Sequence, residues 1–80
     1  MSVNLELEKK IVDLINAFKN NSYLHVIDEG TKLFSQNNTI PVFANLVGAS
    51  YASINDHVNA INFYKKALEI DTNNFEILNN

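Results

Sequence analysis

His25 and His57 are the only two histidines of this chain, and each falls at the start of an apolar-patterned segment. A metal site needs three or four ligands brought together by a helix or a turn. The sequence has no Cys, and no third group recurs at helical spacing beside either imidazole, so both histidines read as exposed or capping residues. The acidic pairs Asp28 with Glu29 and Glu69 with Asp71 are the other titratable candidates. Neighbouring positions on a helix point apart, and general acid–base work needs two groups converging on one substrate, so these read as solvated faces. Ser22, Ser35, Ser50 and Ser53 lack the strand–turn–helix context that exposes a nucleophilic serine, and neither Gly30 nor Gly48 belongs to a phosphate-binding loop. No catalytic residue, metal or cofactor is expected, and the chain by itself is not expected to be an enzyme.

Composition narrows the alternatives. Eighty residues allow one domain, burying about 60 to 65 percent of the unfolded surface. With 46% hydrophobic residues, three Tyr and five Phe, the chain has the composition of a folded domain. Six Lys and nine acidic residues give a net charge of −3, and the only basic clusters are Lys9–Lys10 and Lys65–Lys66. No run of cations exists to neutralise a phosphate backbone, which argues against nucleic acid. The apolar runs are too short to span a bilayer, and the N-terminus alternates Leu with Glu where a signal peptide is basic and then apolar, so a cytoplasmic protein without a membrane partner is expected. Asn fills fourteen positions, and pairs such as Asn20–Asn21 and Asn37–Asn38 fall where turns are due.

Hydrophobic spacing supplies the elements. Leu7, Ile11, Leu14, Ile15 and Phe18 share one face of a first helix. After the polar break at "KNNS", Ser22 is placed to cap a second helix with Tyr23, Val26, Ile27, Leu33 and Phe34 inward. Pro41 suits the first turn of a third helix, whose buried side is Val42, Phe43, Leu46, Val47 and Tyr51. Asp56 is a good N-cap for a fourth, with Val58, Ala60, Ile61, Tyr64, Ala67 and Leu68 inward and Asn59, Asn62 and Lys66 outward. Asn73 and Glu76 have capping-box spacing, which predicts a fifth helix cut short. No alternating strand pattern appears, so the fold class is all-α.

The pattern also repeats. "NSYLHVI" from Asn21 and "NDHVNAI" from Asn55 match at an offset of 34 residues, and Leu33–Phe34 maps onto Ala67–Leu68. Within 41–74, Val47, Gly48, Tyr51, Ala60, Tyr64 and Ala67 stand at Leu-Gly, Tyr, Ala, aromatic and Ala positions, and "ALEIDTNN" follows. This segment resembles the tetratricopeptide repeat, with Thr72 where that family has Pro. Small residues at Gly48, Ala60 and Ala67 are what a close antiparallel crossing requires, with Tyr51 and Tyr64 filling the space beside them. Residues 1–40 form a weaker first unit: Val26 replaces the small Ala, Gly30 replaces the aromatic, and Leu14, Ile15 and Phe18 align best if the "KNNS" turn is one residue shorter than standard. Residues 75–80 read as the start of a third unit.

The resemblance implies a right-handed α-solenoid of antiparallel hairpins, about five helices with the last truncated, that binds a protein or peptide along its concave face. The first helix of each unit lines that face in the family. This places Lys9, Asn16, Lys19 and Asn20 beside Val42, Asn45, Ala49, Ala52 and Ser53. Asn offers both donor and acceptor to an extended backbone. Some family members clamp a terminal carboxylate with Lys and Asn from these helices; Asn16 fits, but Val12 and Leu46 stand where such side chains are needed. The first unit also resembles repeats that precede glycosyltransferase, sulfotransferase or methyltransferase domains in long bacterial proteins, so a partner- or substrate-presenting part of a larger enzyme is the alternative function. On this reading Asn80 is not a natural end. Tyr64, Leu68, Phe75 and Leu78 form an apolar edge that recruits a following segment or a second copy.

Overall fold

The computed structural model describes residues 5–79, with side chains described as far as Asp71. Four helices follow one another: α1 (Leu5–Lys19), α2 (Tyr23–Gln36), α3 (Pro41–Ser53) and α4 (His57–Asn79). No strand occurs among the described residues. Connections of only three or four residues turn each helix back on the one before it. Helix α3 lies against α2 and α4 and alongside α1, whereas the backbone of α4 approaches that of α3 alone.

Each helix follows from its residues. In α1, Leu14 is buried and Leu7, Ile11, Ile15 and Phe18 are half-buried, as the spacing requires, while Glu6 and Glu8 in the first turn and Lys19 in the last oppose the helix dipole. Helix α2 buries Val26, Gly30 and Leu33. Pro41 opens α3 at its first helical position, where its missing N–H leaves no bond unmade. Leu14, Val26, Leu33 and Phe43 form the core, with Ile11, Phe18, Phe34, Val42 and Leu46 packed around it.

The two hairpin turns are built alike. Asn21 and Asn55 both adopt left-handed backbone, at φ 65 and 66°. Asn21 N–H donates to the Phe18 carbonyl at 3.0 Å and Ser22 N–H to Ala17 at 2.9 Å; 34 residues on, Asn55 N–H donates to Ala52 at 3.0 Å and Asp56 N–H to Tyr51 at 2.9 Å. These are the paired bonds of a Schellman ending, and Asn is the commonest residue after Gly at its left-handed position. The 34-residue offset therefore passes through both turns unbroken. The "KNNS" turn is not one residue short: Ala17, and not Phe18, is the counterpart of Tyr51. Phe18 instead packs edge-on against Tyr23, ring centroids 5.5 Å apart.

Three further expectations are corrected. Helix α4 runs unbroken through Asn73, so four helices replace the expected five and Asn73 is interior to a helix. Thr72 puts no proline there, and without Pro or Gly nothing interrupts the backbone bonds. Phe75, Ile77 and Leu78 lie outside the described side chains. Second, Ser22 stands at the N-cap of α2 but its hydroxyl makes no capping bond; at α4, Asp56 does cap, accepting from Asn59 N–H at 3.3 Å and from Asn59 Nδ2 at 2.9 Å.

The third concerns which side of α4 faces inward. Ala60 and Ala67 are buried, but Val58, Ile61 and Leu68 are exposed and Tyr64 is 38% exposed. Phe63 takes the place of Val58, Ile61 and Leu68, stacked on Tyr51 at 5.8 Å and edge-on to Phe34 at 6.4 Å, and Asn59 turns partly inward. The Tyr64 ring lies over Gly48, as the spacing requires. One neighbouring helix covers only one stripe, and the apolar residues of α4 span more than one stripe.

Two substitutions test this packing. A Cβ on Gly30 would stand 2.6 Å from Val47 Cγ2, and Val47 is fully buried and stiff at χ1. Gly30→Ala is expected to destabilise by about 1–2 kcal/mol despite its better helix propensity, and Val47→Ala should cost less in that background than in the wild type, measured by a denaturant double-mutant cycle. Ser50 Oγ is buried with no hydrogen-bond partner among the described residues. Ser50→Ala removes that unmade bond and improves helix propensity, so thermal unfolding should shift upward, by about 1 kcal/mol of stability.

Candidate functional site

The groups with chemical potential are dispersed. His25 and His57 are exposed on different hairpins, near the starts of α2 and α4. His25 lines a shallow cleft of about 150 Å³ with Lys10, Asp13, Leu14, Glu29 and Leu33. Asp28 and Glu29 are both paired with Lys32, at 3.8 and 3.7 Å, in solvent. Such exposed i,i+3 and i,i+4 pairs contribute little stability and hold no reacting atom. Glu69 and Asp71 are exposed, and no group of three His, Cys, Asp or Glu among the described residues is placed to hold a metal ion. Ser35 and Ser53 donate to backbone carbonyls, Lys32 at 2.8 Å and Ala49 at 2.9 Å, so neither hydroxyl is prepared as a nucleophile.

Helices α1 and α3 approach each other, and their exposed residues include those read from the sequence as a groove. Helix α3 buries Phe43, Ala44, Val47, Gly48 and Ser50 and keeps a single strip toward solvent. That strip is Val42, Asn45, Ala49, Ala52 and Ser53, at helical spacing, with Val42, Ala49 and Ala52 half-buried and Asn45 and Ser53 exposed. All five are the residues read from the sequence as the α3 side of a groove.

On α1 the placement differs. Lys9, Asn16, Lys19 and the turn residue Asn20 are all exposed. Carried through the matched turns, however, the α3 strip corresponds to Glu8, Ile11, Ile15, Phe18 and Lys19. Lys19 alone belongs to both sets; Lys9, Asn16 and Asn20 correspond to Phe43, Ser50 and Ile54. Ile11, Ile15 and Phe18 are half-buried, so the surface equivalent to the strip has an apolar floor with Glu8 and Lys19 beside it. The two sets differ because the sequence reading shortens the turn by one residue. The signal that separates them is the Asn21–Ser22 and Asn55–Asp56 correspondence itself.

Two clefts among the described residues lie elsewhere. One of about 230 Å³ sits between α1 and the end of α2, lined by Glu6, Leu7, Lys10, Leu33, Gln36 and Asn37. Another of about 310 Å³ joins the two turns through Leu24 and Ile54.

The described residues thus define an all-α protein of two helical hairpins. No family model, curated protein or solved structure matches the chain.

Asn16 and Asn45 are exposed, and neither side chain makes a hydrogen bond recorded among the described residues. Asn16→Ala and Asn45→Ala are each expected to leave unfolding stability within about 0.5 kcal/mol of wild type, checked by chemical denaturation.

Proposed function

We propose that the chain is a protein-binding module of tetratricopeptide-like design, taking a peptide or protein segment along the adjoining surfaces of α1 and α3. The observation that carries this reading is the duplicated turn, with Asn21 and Asn55 at matching φ and the same hydrogen bonds 34 residues apart. A unit that recurs at fixed spacing stacks its first helices side by side, and a right-handed stack of this kind presents those helices to a partner. Half-buried Val42, Ala49 and Ala52 supply apolar contact at low conformational cost, while Asn45 and Ser53 supply hydrogen bonds that fix register. The partner is a polypeptide, bound without cofactor and without chemistry performed by this chain. On this reading the module acts in the cytoplasm as a scaffold.

The test is selection of peptides from a random library against the purified chain, followed by affinity measurement on variants. Selected peptides should lose at least about tenfold in affinity with Ala49→Arg or Asn45→Arg, close to 1.4 kcal/mol, and keep it with Asn16→Arg. Equal affinity for all three variants would sink the groove.

A further inference from the structure

We draw no further inference here: the strongest candidate, the apolar face of α4 that Val58, Ile61 and Leu68 leave exposed, carries nothing because nothing in the structure shows what covers it.

Discussion

How closely α3 approaches its two neighbours is the constraint on which the molecule depends. On the α2 side the approach is made possible by Gly30, whose missing side chain leaves room for Val47. On the α4 side it is made possible by Gly48: a Cβ there would meet the Tyr64 ring at 3.0 Å and the Ala60 carbonyl at 3.3 Å. Each glycine costs helix propensity, about 1 kcal/mol relative to Ala. Close packing of the neighbouring helices returns more than that through burial of Phe43, Ala44 and Val47, all fully buried. The two hairpins solve the same problem with the large and small residues exchanged. Leu14 of α1 lies near Gly30 in the first, and Tyr64 of α4 covers Gly48 in the second, so each crossing pairs one bulky residue with one glycine.

What α3 spends on packing determines what the protein can present. With neighbours on three sides, α3 keeps only the strip from Val42 to Ser53 for solvent, and that strip cannot vary far without entering the core. Ser50 marks the limit of this arrangement, a polar residue drawn fully inside and left without a hydrogen-bond partner among the described residues. Helix α4 is the opposite case. It has one backbone neighbour and apolar residues on more than one side, so part of its hydrophobic surface remains in water. A chain this short cannot cover every apolar stripe of its longest helix, because surface grows relative to volume as domains shrink.

The turns explain much of the asparagine. Left-handed backbone is costly for most side chains, and Asn tolerates it because its short amide finds local partners. At the first turn the Tyr23 hydroxyl donates to Asn21 Oδ1 at 2.7 Å, and at the end of α2 the Asn37 amide donates to the Leu33 carbonyl at 2.9 Å. Asparagine at these places closes helices and sets the reversal of the chain. Asn16 and Asn45 serve no such closure, and their side chains remain available at the surface.

The sequence by itself determined the class and most of the element boundaries: all-α, helices opening at Tyr23, Pro41 and His57, with Asp56 as a cap. Those features are local, since helical periodicity, a proline or a capping carboxylate acts within one or two turns of itself. It also determined the 34-residue repetition, because matching turns need matching residues. The five positions of the α3 strip came from the family resemblance, and of them Asn45 and Ser53 are exposed and Val42, Ala49 and Ala52 half-buried. Only the tertiary structure decided which of two apolar stripes of α4 would face inward, and it chose Ala60, Phe63 and Ala67 over Val58, Ile61 and Leu68. Periodicity counts apolar residues around a helix but does not know how many neighbours will arrive to cover them. The correspondence of α1 with α3 was likewise undecided until the turn bonds matched Ala17 to Tyr51, since a shift of one residue turns a helix face by 100° and exchanges Asn16 for Ile15 as the counterpart of Ala49.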